Sequence, residues 1–217
     1  MKSFLAIAAL AALLATTDAH AAIELTSFNV APHSSGPGLL VSTAPISGTT
    51  TLAVNNVGDS VVVNLFRLWT DETSVNVGED TVAKNISVNF NFKFGSESFA
   101  GLVNGQTAGI AGVFLFVPFG AGVVDWATPV DVAFGTTGKL RIEFLDQLFN
   151  ADFGFGDLSP GQANGATVKA KFTLLANGAL PVEPGALNAP EPATLIVWTG
   201  LGLAAVATGT RRRRLLG

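Results

Sequence analysis

The chain has 217 residues, room for one ordinary domain plus terminal segments. Apolar residues make up 48% and charged ones 13%, yet Gly (24) is abundant, which argues for short strands and turns over long helices. Setting the terminal segments aside leaves seven Lys and Arg against fourteen Asp and Glu, a balance of −7 that speaks against nucleic acid as a partner, and the lack of Cys removes disulfides, thiolate metal sites and cysteine nucleophiles.

Residues 1–21 carry one cation at Lys2, an apolar run from Phe4 to Ala15 and a small-x-small exit at Ala19-His20-Ala21. This is the layout of a secretory signal peptide for Sec-type export machinery, with cleavage after Ala21. From Ala22 to Ala176 the apolar pattern has period two. Candidate strands are Ile23 to Val30, Thr50 to Val54 and Ser60 to Trp69. Next, Ile86, Val88, Phe90, Phe92 and Phe94 alternate with Ser87, Asn89, Asn91 and Lys93, so one face of that strand is buried. Gly112 to Pro118, Val130 to Phe134, Leu140 to Leu145 and Thr167 to Leu175 complete the set. Gly, Asn, Asp and Pro fill the gaps. About eight short strands, without crossover helices, predict an all-β domain over 22–176: an antiparallel β-sandwich, jelly-roll or Greek-key-like.

Few residues in this domain suggest chemistry. Asp71-Glu72 and Glu79-Asp80 flank one connection and are candidate oxygen ligands for Ca²⁺, but EF-hand spacing is absent, which favours solvated turn acids. Asp152 and Asp157 bracket a second acidic loop of the same kind. Asp152-Phe153-Gly154 matches a kinase tripeptide without the rest of the kinase set, and Gly135-Thr136-Thr137-Gly138-Lys139 lacks the first glycine of a phosphate loop, since Ala133 stands there. His33, the one histidine after Ala21, has no Cys or second His to join it in a zinc site. Trp69 and Trp126 are the aromatic side chains that could stack on sugar rings, although core packing is the favoured reading for both. Trp126, read as lying in a loop after Asp125, is the better ligand candidate. No catalytic constellation and no cofactor emerge, and the chain reads as non-enzymatic.

Residues 177–189 form a linker punctuated by Pro and Gly. After it come Pro190-Glu191-Pro192, an uncharged apolar run from Ala193 to Thr210, and Arg211, Arg212, Arg213 and Arg214. As a helix the run is about 27 Å long, just enough for a hydrocarbon core of about 30 Å. The arginines would stay cytoplasmic and leave the bulk of the chain outside. Two prolines keep the tripeptide extended and accessible beside the membrane.

This order of elements over 190–217 resembles the PEP-CTERM sorting signal of exported bacterial proteins. The segment from Leu65 to Phe90, with its Thr-Asp-Glu and Val-Asn elements, is similar to a recurrent stretch of the β-rich ectodomains that carry such tails. The resemblance implies that Pro190, Glu191 and Pro192 are recognised by an exosortase, that 193–210 is a transmembrane helix and that Arg211 to Arg214 are the cytoplasmic stop. It also implies a surface or extracellular-matrix protein associated with exopolysaccharide and biofilm. The alternative is a carbohydrate-binding, lectin-like module, Ca²⁺-assisted or not, delivered by the same tail.

Overall fold

The computed structural model describes residues 21–33, 35–114, 116–153 and 157–180, with the backbone alone for residue 114. Among these, the chain forms β1 (Ile23–Ala31), β2 (Ser42–Pro45), β3 (Thr50–Leu52), β4 (Ser60–Trp69), β5 (Lys84–Phe94), β6 (Glu97–Phe114), β7 (Val117–Trp126), β8 (Val130–Phe134), β9 (Gly138–Phe144), β10 (Gln147–Phe153) and β11 (Ala166–Ala176). A single 3₁₀ turn, Gln162–Asn164, precedes β11, and no α-helix occurs among the described residues. The strands make two antiparallel sheets, ordered β10-β7-β6-β5-β1-β3 and β2-β4-β11-β9-β8.

Alternation decides which face is buried. Along β5, Ile86, Val88, Phe90, Phe92 and Phe94 are all buried, whereas the residues between them face outward. They meet the inner face of the other sheet through aromatic contacts: Phe90 and Phe92 each lie 5.9 Å from Phe172 of β11, edge to face, and Phe94 lies 4.9 Å from Phe134 of β8. Such pairs add to the apolar area that their burial removes from water. One hydrophobic cluster draws on both sheets, so the two share a single core.

Register shifts interrupt four of the strand pairings, and those in β1 and β4 show how a bulge changes parity part-way. In β1, Leu25 faces Phe92 and Ser27 faces Asn91, which leaves Thr26 as the extra residue. The inward set therefore switches from Ile23 and Leu25 to Phe28 and Val30, and the Thr26 hydroxyl donates to Asn91 O at 2.9 Å. In β4 the register opposite Val168 and Lys169 skips Leu65. Inward residues are Val61 and Val63 before it and Phe66 and Leu68 after it, so Trp69 falls on the outward side and is half-buried.

Two expectations need correction. Residues 112–118 are not one strand but the tip of a long hairpin, because Phe114 pairs with Val117 and the chain reverses between them. No Gly, Asn or Asp marks this reversal, and Phe116 takes a left-handed backbone, φ 70°. Trp126 is not in a loop: it is the last residue of β7, 7% exposed, with its ring stacked on Phe144 at 4.3 Å.

Both ends of the described chain meet at the β5–β6 turn. A Cβ placed on Gly95 would lie 3.0 Å from the Leu180 side chain and 3.6 Å from Ala21 Cβ. Residues 177–180, expected in the linker, run beside the β8–β9 turn, with Thr136 N–H and Thr137 Oγ1 donating to the carbonyls of Ala179 and Asn177. No helix among the described residues is long and apolar enough to cross a membrane. Residues 1–20 of the expected signal peptide, and all of 190–217, lie outside the described residues.

Candidate functional site

The outer faces of the two sheets differ in chemistry. On the β2-β4-β11-β9-β8 sheet the face is ionic: Arg141 Nε lies 2.8 Å from Asp131 Oδ1, and Lys171 Nζ 3.8 Å from Glu143. The Arg141 guanidinium, donating to Asp131, holds that carboxyl below its ordinary range. On the other sheet the outward positions of β5 and β6 carry mainly uncharged hydrogen-bonding groups, among them Asn85, Ser87, Asn89, Asn91, Asn104 and Gln106.

Part of this face is concave. Asn85 on β5 pairs with Gln106 on β6, which pairs with Asp125 on β7, so three polar side chains form one row across three strands. Asn104 lies two residues along from Gln106, and its carbonyl accepts from Ala127 N–H at 3.0 Å. Together with Gly105, Trp126 and Ala127 they line a cleft of about 260 Å³. Its lining combines amide donors and acceptors with one carboxylate and no cation, a set suited to hydroxyl-bearing neutral ligands.

Trp126 forms part of the cleft wall but cannot offer an open ring face there. One face of the indole lies on Phe144, and a Cβ on the directly opposed Gly105 would come within 2.6 Å of Trp126 Cε3, so glycine is required for the ring to seat. The indole Nε1 is buried and has no partner among the described residues. Asp146 fixes the end of β7 by accepting from Trp126 backbone N–H at 2.8 Å.

The two acidic loops noted in the sequence are neighbours in space. Ser74 bridges to Asp157, and Leu158 N–H donates to Thr73 O at 2.9 Å. Behind them, Asn150 is a buried hub with a left-handed backbone, φ 49°. Its Oδ1 accepts from Thr70 N–H at 2.9 Å, and its Nδ2 donates to the carbonyls of Gly161, at 3.0 Å, and Ser159. Nothing in the local sequence marks this Asn as buried.

Within the β4–β5 connection the four candidate acids differ in exposure. Asp71 and Glu79 are exposed, while Asp80 is buried and accepts from Asn76 N–H at 2.7 Å. Glu72 accepts from Leu40 N–H at 2.7 Å. Burial, reinforced by the adjacent carboxylates of Asp80 and Glu79, pushes the Glu72 carboxyl above its ordinary range, with Leu40 N–H opposing. Among the described residues no three His, Cys, Asp or Glu side chains converge.

No protein-family model, curated protein or solved structure matches this chain. Asn85, Asn104 and Gln106 were not singled out by sequence reasoning. Their signal was the outward parity of the alternating strand, filled with amides where charges are usual, but their convergence depends on strand register.

Proposed function

We propose that the chain is an exported, exosortase-sorted surface or extracellular-matrix protein, non-enzymatic and associated with exopolysaccharide. The observation that carries this reading is the order Pro190-Glu191-Pro192, apolar run, Arg211 to Arg214, combined with the leader over 1–21. Two features of the domain support it. Cleavage after Ala21 leaves β1 whole, since its first residue, Ile23, pairs with Phe94 and Leu52. Leu180 lies against Gly95, so the chain leaves toward the tail from the end of the β domain where the β5–β6 turn lies. The domain is then an antiparallel sandwich of Greek-key kind, in which adjacent strands such as β4 and β11, or β1 and β5, are far apart in sequence.

The test separates sorting from anchoring. Glu191→Ala leaves the apolar length and the arginine block intact, so an ordinary anchor would behave as the parent does. A sorted substrate instead accumulates as full-length, membrane-retained precursor, as the parent does in a host lacking the exosortase. Equal mass and equal membrane partition of parent and variant in both hosts would defeat the reading.

The amide row favours a second reading, a carbohydrate-binding module delivered by the same tail. Asn104→Ala and Gln106→Ala should each weaken retention on a neutral glycan array. Loss of retention with chelator would show that a cation takes part, and retention indifferent to both substitutions would remove this reading.

A further inference from the structure

Thr107 faces Lys84 at the start of β5, and beyond it β6 continues to Phe114 with β7 on one side. On its other side Gly109 N–H donates to Asp80 O at 2.7 Å. That bond fixes the parity: Ala111 and Val113 aim their N–H and C=O groups the same way, and among the described residues none pairs with them. The tip beyond is apolar and open. Val113 is 69% exposed, Phe116 97%, and Phe153, stacked on Phe119, 65%. No charged residue lies between Glu97 and Asp125. Sheet proteins ordinarily blunt an edge of this kind with Lys, Pro or a bulge.

We propose that this edge pairs with the same edge of a second copy of the chain. The two β6 strands run antiparallel about a twofold axis at Gly112, so that Ala111 of each copy exchanges backbone hydrogen bonds with Val113 of the other. A bilayer does not satisfy free strand-edge groups, and with no Lys or Arg between Lys93 and Lys139 nothing draws the tip to lipid phosphates. An apolar helix, such as the one expected at 193–210, has no free backbone groups to offer either. A second copy supplies the matching edge. For a domain with an acidic balance, the uncharged tip is also where two copies meet without like-charge repulsion. Ala21 and Leu180 lie at the other end of β6, beside Gly95, so pairing leaves both chain ends free.

Across the axis Gly112 faces its own counterpart in a non-hydrogen-bonded pair, whose Cα atoms lie about 4.5 Å apart, within disulfide reach. The chain has no cysteine, so Gly112→Cys introduces one thiol, its Cβ 3.1 Å from the ring of the half-buried Phe119. Val62→Cys, at a 58% exposed position on β4, is the control. Under mild oxidation of the full-length chain in detergent, Gly112→Cys is expected to form disulfide-linked dimer roughly tenfold faster than the control, because pairing raises the local thiol concentration. Adding Val113→Lys or Phe116→Gly should return it to the control rate with far-UV circular dichroism unchanged. Equal rates for the two thiols, or cross-linking that persists in both tip variants, would overturn the proposal. So would Phe116-dependent cosedimentation with phosphatidylcholine vesicles in the absence of cross-linking.

Discussion

Glu72 accepts a hydrogen bond from Leu40, yet burial and its acidic neighbours make it hold its proton more tightly than an ordinary glutamate. With the folded-state pKa raised, its contribution to stability is fully present below the ordinary value near 4.5 and is lost as pH rises through the raised value. Glu72→Gln keeps the oxygen that Leu40 needs and removes the charge. It is therefore expected to raise the urea midpoint at neutral pH and to change nothing in strong acid; a lower midpoint at neutral pH would mean that the carboxylate is in use, as in holding a cation. Asn150 presents the opposite case, a neutral side chain whose every group is spent. Asn150→Ala leaves the buried Thr70 N–H without its acceptor and places Ala at φ 49°, and should cost about 1–3 kcal/mol from the lost pairing alone. Asn150→Gly relieves the backbone but not the pairing, so comparing the urea midpoints of the two variants separates the contributions.

The β6–β7 hairpin shows where an element diverges from its sequence pattern. β4, β5, β8, β9 and β11 were legible because large apolar side chains fill their inward positions. In β6 and β7 glycine takes many of those positions: Gly101, Gly105 and Gly109 on one strand, Gly122 on the other. Alternation of side-chain size vanishes there, although alternation of direction persists. Gly101 leaves room for Val132 and Ile142 of the opposite sheet, which a Cβ would approach to 2.9 and 3.0 Å. The reversal at the tip was equally hidden, since Phe116 adopts a backbone that Gly favours. That conformation costs about 1–3 kcal/mol at a residue with a bulky side chain. In dilute monomer, Phe116→Gly should recover about 1 kcal/mol, read as a higher thermal midpoint. Bulges were invisible for another reason: an extra residue such as Leu65 belongs to a pairing and not to a strand. The site depended on register in the same way, since Asn85, Gln106 and Asp125 are distant in sequence and meet through two ladders.

Taken whole, residues 21–180 hold one core shared by two sheets, with the chain entering and leaving beside Gly95. A fragment from Ala22 to Leu180 is expected to fold without the tail, giving a β-dominated far-UV spectrum and one cooperative urea transition. Ending the fragment at Ala176 instead removes the carbonyls that Thr136 and Thr137 use and should lower the midpoint. Acidic-loop proximity belongs to this scale, because Ser74 and Asp157 are joined by topology alone. Strand order also settles how the domain meets mechanical load. The last strand, β11, lies inside its sheet, hydrogen-bonded to β4 on one side and β9 on the other. A pull on the chain beyond Leu180 first loads the Thr136 and Thr137 bonds to residues 177–179 and then β11, where a force along the strand axis shears both ladders together. Had the chain left from β8 or β2 at the rim, the same pull could have peeled one ladder bond by bond.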